Sequence, residues 1–387
     1  MKKILMISAF YLENNTSRPY HMKLYFEQKG FKVKVITTNF NHSTKRKEKI
    51  DSSNVVQLNV PSYSKTLSFK RIFSHMIFAY KIRKFIKSEE YDLIYVAVPP
   101  NLSSYFASKI AAHRKKIIIV DIIDIWPQNN NKGVFAPIYK IWQKWRDIAI
   151  SKSNILLLET TAYIEKVNSI NNNYNLVYIA KPTDISFNLD ETLEMRKDFK
   201  RELKIAYLGN FSDSYDFDSL VFILEALKSF NASLIIIGDG PLKSEVLEKI
   251  TSKQIFYQDY GIVFDEMTKG KILNQCHFGY NAVKESTLVG LSYKSIDYLS
   301  FSLPLINSVK YDTCDLIETY HAGINFNAEK LNELILHISS LTFDGYLQMI
   351  SGAKELFDAH FSIDSFYNTM ESILQQRGVI DETNNSI

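Results

Sequence analysis

Residues 281–297 read NAVKESTLVGLSYKSID, and they bring Gly290, Ser292, Lys294 and Asp297 to the start of a predicted helix over 293–301. Backbone N–H groups without helical partners, and the positive end of the helix dipole, favour a phosphate at such a start. Lys294 in the first turn opposes that dipole by a few tenths to ~1 kcal/mol, a cost that makes sense where an anion binds. The plainer alternative is a surface lysine with no role. Asp297 is explained equally well by a favourable dipole interaction or by hydrogen bonds to ribose hydroxyls.

The elements around this turn are strands and helices in alternation. An apolar run at 3–9, a helical stretch at 17–29 stopped by Gly30, and a β-rich run at 31–38 make a β-α-β unit. A strand at 92–98, a helix at 103–113 and a strand at 116–123 follow, with apolar runs too continuous for a sheet that has one wet face. After Lys181-Pro182 the polar stretch 188–201 reads as a linker. The alternation then restarts at 203–208, 218–230 and 233–237, with a Gly238-Asp239-Gly240-Pro241 turn and a helix at 242–250. A strand at 277–281, the helix at 293–301 and a strand at 304–307 come next, and the tail from Asn384 reads as frayed. The pattern predicts two parallel-sheet α/β domains, 1–182 and 183–365, with a helix over 366–383 as a candidate to pack back on the first. Ligands of such sheets bind beyond the carboxyl ends of strands, which directs attention to the loops leaving Ala9, Thr38, Val98, Ile123, Leu208, Ile237 and Asn281.

Composition agrees with two domains, since 387 residues exceed what one core usually supports. With 46% hydrophobic and 23% charged residues there is little room for long disordered tracts. Two cysteines, Cys276 and Cys314, cannot make a disulfide framework or a cysteine-rich metal site, so a reducing compartment is expected. Glu13, Asn14 and Asn15 stand where a signal peptide would place small residues, so the apolar start reads as a first strand. Asp121 and Asp124 interrupt the longest candidate for a bilayer span. The formal charge of +4 conceals about +16 in residues 1–180 and about −12 in 181–387. The first half should therefore seek an anionic partner, and the charge alone does not choose between nucleic acid and an anionic membrane.

The run 290–307, GLSYKSIDYLSFSLPLIN, with Tyr207-Leu-Gly-Asn-Phe211 and Ile236-Ile-Gly-Asp-Gly-Pro241 before it, resembles the donor domain of group 1 (family 4-like) glycosyltransferases. Thr16-Ser-Arg-Pro-Tyr20, the stretch 35–42 and Asp121-Ile-Ile-Asp-Ile-Trp-Pro127 resemble acceptor-domain loops of bacterial surface or capsular polysaccharide members. The resemblance implies the GT-B fold, two Rossmann-like, doubly wound parallel-sheet domains facing a cleft. It places Asp297 where the family's acidic residue holds the donor ribose, and Ser292, Tyr293 and Lys294 beside the diphosphate, with Gly209 and Asn210 bordering the pocket. Two positions depart from the family pattern. Val289 stands where a first glutamate contacts the donor sugar, and the loop 210–216 lacks the usual arginine and lysine.

Sugar transfer needs a stabiliser for the leaving nucleoside diphosphate and a group to take the acceptor's proton. Lys294 and its helix N-terminus supply the first without a metal or other cofactor. Asp124, ahead of Trp126-Pro127, is the candidate for the second, and a turn-capping role explains it as well. His42 is the alternative base, and Arg18 in the first loop a candidate contact for an acceptor phosphate. The segment 65–87 mixes seven basic residues with a broad apolar face, as does 137–152 with Trp142 and Trp145. Such helices suit an anionic membrane surface, although a core-facing helix with lysines in water explains much of the pattern. No zinc spacing, RNA-recognition signature or Walker loop supports nucleic acid. The expectation is a cytoplasmic, peripheral membrane enzyme that moves a sugar from a nucleotide diphosphate sugar to a lipid-linked or polysaccharide acceptor. Two rivals are a catalytically silent GT-B-like subunit that stabilises a partner transferase, and an epimerase on the same plan.

Overall fold

The computed structural model describes residues 1–13, 17–65, 68–126, 136–182, 193–194 and 196–381. Residues 188–192 and 195 of the expected linker, the tail from Asn384, and Thr16 and Pro127 of the loop motifs lie outside them. The chain forms two compact units, Met1–Ala180 with Phe366–Ile387, and Lys181–Ser365.

In the first unit, helices alternate with strands: β1 (Lys3–Ile7), α1 (Arg18–Gln28), β2 (Lys32–Thr38), the short strands β3 (Phe40–Asn41) and β4 (Arg46–Lys47), and β5 (Val55–Leu58). Then come α2 (Phe69–Ser88), β6 (Leu93–Val98), α3 (Asn101–His113), β7 (Ile117–Ile122), α4 (Ala136–Ser151), β8 (Ile155–Leu158), α5 (Ile164–Val167) and β9 (Tyr174–Leu176). Seven strands pair in parallel in the order β5-β2-β1-β6-β7-β8-β9, and β3 with β4 makes an antiparallel ribbon. The chain starts at the middle, winds out to β5, then returns to the other side of β1, so a switch point lies between β1 and β6. Every residue of β6 and β8 is buried, which is why these runs show no alternation.

On α2, Ser68 caps the first turn by accepting from Arg71 N at 3.3 Å. Its buried face runs Arg71, His75, Phe78, Ile82, Ile86, a helical period that begins with two polar side chains. Phe69, Phe73 and Tyr80 are more than half exposed. Among the described residues no helix is long and apolar enough to cross a membrane.

The second unit contains β10 (Lys204–Leu208), α6 (Phe217–Ala226), β11 (Ser233–Ile237), α7 (Lys243–Ser252), β12 (Phe256–Asp259), α8 (Glu266–Leu273) and β13 (Phe278–Asn281). It continues with α9 (Tyr293–Ser300), β14 (Leu305–Asn307), α10 (Asp312–Tyr320), β15 (Gly323–Asn325), α11 (Leu331–Ser340) and α12 (Phe343–His360). Six parallel strands run β12-β11-β10-β13-β14-β15, with the switch point between β10 and β13. Residues 196–201 are not the solvated linker that their polarity predicts. Arg196 is buried and donates to the carbonyls of Leu273, Asn274, Phe301 and Ser302, and Phe199 stacks on Tyr346 in the core.

The last helix, α13 (Ile363–Gln376), carries the chain back to the first unit, where Phe366, Met370, Ile373 and Leu374 are buried. Each such side chain contributes roughly 1.5–3 kcal/mol on burial. A Lys29–Glu371 ion pair at 2.7 Å adds a contact to α1.

Candidate active site

In the second unit the carboxyl ends of β10 and β13 open onto the N-terminus of α9. Ser292 caps that helix, accepting from Ser295 N at 3.2 Å, and its own hydroxyl donates to Asn281 Oδ1 at 2.8 Å. Asn281 donates to Asn307 Oδ1, and Asn307 to Asn325 Oδ1, each at 2.8 Å. These three asparagines are register partners at the ends of β13, β14 and β15, so the ladder ties three strand ends to the helix cap. Asparagine closing each of the short strands FGYN, LIN and GIN is the sequence signal for it. Tyr298 fixes the other side of α9: its hydroxyl accepts from Leu208 N at 2.6 Å and donates to Ala206 O at 3.1 Å.

Lys294 is 5% exposed, and its Nζ has no hydrogen-bond partner. The ammonium lies 3.5 Å from the centroid of the Tyr215 ring and 4.3 Å from that of Tyr207. Burial pulls its pKa down to about 7. The tyrosine faces attract it by ~1–2 kcal/mol, which does not replace a lost hydration shell. Gly209 adjoins it directly: a Cβ there would stand 3.8 Å from Lys294 Nζ, and φ is +124°. The loop after Gly209 rests on the Gly238 turn so closely that a Cβ on Gly238 would meet Gly209 O at 1.9 Å. Gly209, Ser292 and Lys294 are thus brought together, and an anion entering here would find an ammonium and a helix N-terminus.

The other expected donor residues are placed differently. Asn210 and Tyr293 are exposed, while Gly290 is buried with its carbonyl accepting from Thr313 N and Oγ1. Asp297 is one turn along α9, ion-paired with Lys181 and, at 3.6 Å, with Lys269, while Glu266 holds both lysines at 2.9 and 2.5 Å. A ribose hydroxyl would share the Asp297 carboxylate with Lys181.

In the first unit the expectation for Arg18 is corrected. Its guanidinium is 1% exposed, donates from Nε and Nη2 to the two oxygens of Asp121 at 2.9 and 2.7 Å, and reaches the Val177 carbonyl from Nη1. It joins α1 to β7 in the interior and does not present itself to an acceptor. Tyr95 donates to the same carboxylate at 2.5 Å. Burial raises the neighbouring Glu159 to about 8.

Asp124 follows β7, half-buried, with its backbone N–H on Val98 O at 3.2 Å. Its charge reaches Arg71, Glu159 and Lys166. His42 follows β3, and its Nδ1 is 2.8 Å from Tyr63 Oη and 3.3 Å from Lys45 Nζ. A lysine has only donors, so Nδ1 is the acceptor. Burial, then the charges of Arg71 and Lys45, lowers His42 to about 4. With its lone pair engaged and its affinity for protons lowered, His42 has less proton-accepting power in the unliganded protein than an ordinary histidine. Arg71 is the residue that sequence reasoning left among the basic residues of a surface helix; it is 5% exposed and stacks at 4.6 Å over Trp126. Phe10 and His42 also line a cavity of 110 Å³ at the ends of β1 and β2.

Residues 11–153 match the family model described as glycosyl transferase 4-like. No curated protein matches the chain. Among solved structures, sucrose-phosphate synthase from Thermosynechococcus elongatus is similar with a TM-score of 0.71 at 10% identity, over 98% of this chain and 100% of that one. HepE of Anabaena, in complex with UDP and glucose, gives 0.64 at 12% over 97% and 100%. A TarM variant of S. aureus, in complex with Fondaparinux, alpha-GlcNAc-glycerol and UDP, gives 0.63 at 13% over 96% and 99%. The match to the glycosyl transferase 4-like model thus falls within the first unit, and the two parallel-sheet units have the GT-B fold.

Proposed function

We propose that this chain, a GT-B fold with a glycosyl transferase 4-like domain at residues 11–153, is a glycosyltransferase that moves a sugar from a nucleotide diphosphate sugar to a lipid-linked or polysaccharide acceptor. The observation that carries the reading is Lys294, a buried ammonium without a hydrogen-bond partner at the N-terminus of a helix on the switch point. A diphosphate is the ligand that completes it, because phosphate oxygens satisfy both the ammonium and the N–H groups of the first turn. The same groups stabilise the charge on the leaving nucleoside diphosphate, so the reading requires no metal. Uridine diphosphate is the first nucleotide to try, since HepE and TarM are recorded with it.

Asp124 is the proposed base. If the reaction inverts configuration, its carboxylate takes the proton from the acceptor hydroxyl. A same-face, retaining course needs no such base, and Asp124→Asn would then keep much of its activity. Work at the cytoplasmic membrane face is part of the proposal, supported by Phe69, Phe73 and Tyr80 exposed among the lysines of α2 and by the positive charge of residues 1–180.

The test is thermal unfolding against a panel of nucleoside diphosphates and nucleotide sugars, beside Lys294→Ala and Asp297→Ala. The expected outcome is a ligand-dependent rise in melting temperature that both variants weaken, followed by transfer to a polysaccharide or lipid-linked acceptor with the nucleotide so named. Binding without turnover would instead favour a silent subunit, the reading that Val289 and the missing basic pair keep open. Product formation without any acceptor would favour an epimerase.

A further inference from the structure

His75 stands one turn after Arg71 on the buried face of α2, 3% exposed, and neither ring nitrogen has a hydrogen-bond partner. Trp142 of α4 faces it with ring centroids 6.3 Å apart, 2% exposed, and its Nε1 likewise lacks an acceptor. An interior normally satisfies such groups, because each one left without a partner has lost its hydration with nothing in return. Three such nitrogens, two on His75 and one on Trp142, lie on neighbouring rings beside a buried guanidinium. They also lie at the carboxyl end of the sheet: Asn101, which opens the helix after β6, donates to the Trp142 carbonyl at 3.0 Å.

Arg71 carries the positive charge of this group, with the Tyr63 hydroxyl and the Asp124 carboxylate as neighbours. Its field, with burial, lowers Lys45 and drives His42 and His75 toward their neutral forms, and Asp124 is the carboxylate whose charge reaches it. Arg71 and Lys45 thus bring two cations beside two imidazoles held toward their neutral forms, and Glu48 is the carboxylate that lines the adjoining cavity. Aromatic rings wall the group. Phe10 lies 5.8 Å from His75 and 5.3 Å from His42, and these two contacts join the group to the 110 Å³ cavity, which offers Thr38, Asn41 and Ser43 as hydroxyl and amide partners.

We propose that Arg71, His75 and Trp142 form an acceptor subsite that receives an anionic sugar residue, one bearing a phosphate or a carboxylate. The guanidinium meets the charge, the imidazole and indole N–H groups bond its oxygens, and the ring faces take the C–H face of the sugar. This rests on the glycosyltransferase reading and specifies its acceptor.

The test is direct binding to the full chain without donor, by saturation-transfer NMR and calorimetry. The probes are the 1-phosphates of glucose and galactose, the corresponding uronates, and the neutral methyl glycosides. We expect the anionic sugars to bind, the neutral ones to bind at least about tenfold more weakly, and Arg71→Gln to lose about tenfold or more, as removal of a charge-assisted hydrogen bond should. Preference between the phosphates and the uronates names the source of the charge. His75→Phe should also weaken binding yet leave the melting temperature unchanged or raised, because it removes two unsatisfied nitrogens and keeps a ring. A merely structural His75 would give the opposite pair of results. Failure of every anionic sugar to bind wild type, equal binding of the neutral glycosides, or indifference to Arg71→Gln overturns the proposal. Nucleotide binding is followed in parallel. Its loss with sugar binding intact would undo the donor assignment alone, and the reverse would undo this subsite alone.

Discussion

Raising the pH from 7 to 9 should weaken binding of a nucleoside diphosphate, and Lys294 sets the size of the effect. In the unliganded protein burial holds this lysine at about 7 against an ordinary 10.5. A bound diphosphate supplies the missing partner and restores the ammonium, so above pH 7 binding takes up a proton. Affinity then falls by up to about tenfold per pH unit, or about fiftyfold between pH 7, where the lysine is already half deprotonated, and pH 9. The same shift acts on stability with a definite sign. The folded value lies below the unfolded one, so the unfolded chain binds more protons between about 7 and 10.5, and stability without ligand rises with pH through that window. The penalty is fully present below pH 7, with a ceiling of about 5 kcal/mol, less ~1–2 for the faces of Tyr215 and Tyr207. Calorimetric titration with uridine diphosphate at pH 7, 8 and 9, in two buffers of different protonation enthalpy, reads affinity and proton uptake together. Lys294→Met should abolish the pH slope and the proton uptake, and should be more stable than wild type at pH 6. A wild-type affinity that stays flat from pH 7 to 9 with no proton uptake would refute the reasoning.

Other perturbations bear on the frame that holds the two sites. Arg18→Met leaves Asp121 buried and without its guanidinium, and should lower stability by about 3–5 kcal/mol in urea unfolding. Gly238→Ala drives a methyl group to 1.9 Å from the Gly209 carbonyl at φ +155°; backbone must move on both sides, so we expect a loss of at least about 1–3 kcal/mol and weakened nucleotide binding, measured on one preparation. Phe73→Ser on the exposed face of α2 should release the protein from anionic vesicles in a sedimentation assay without changing its melting temperature. Unchanged sedimentation would remove α2 from the membrane reading.

The alternation of strands and helices was legible because parallel strands buried on both faces leave continuous apolar runs, and β6 and β8 have no exposed position at all. Ser292, Lys294 and Gly209 were legible for a local reason: cap, first turn and strand-end glycine lie within one or two residues of an element boundary. Arg18 was misjudged because its place at the end of a loop says nothing of its partner, and Asp121 lies 103 residues away. Arg71 and His75 carried a signal that charge counting hid. Residues 71, 75, 78, 82 and 86 follow one helical period, so the two polar side chains had to share the buried stripe of Phe78, Ile82 and Ile86. The Arg196 anchor, which ties four carbonyls from two distant segments, has no counterpart in local pattern at all.

The same placement bears on the silent-subunit reading. Its main support is the loop 210–216, which offers no arginine or lysine to a diphosphate. Yet an ammonium does reach that loop, from Lys294, beside the bare α-carbon of Gly209. A positive charge acts by position and not by the segment that supplies it, so the pocket keeps a cation. A protein with no phosphate to bind would gain from methionine at 294, which fills the same space between Tyr207 and Tyr215 without an unsatisfied charge, so a silent subunit of this sequence would still bind a nucleotide. Retaining lysine there, at a cost of several kcal/mol in the empty protein, is reasonable only where a phosphate returns that free energy on binding. On the proposed reading, Val289 in place of the family's glutamate bears on which sugar is held and leaves the proposed diphosphate subsite as it is.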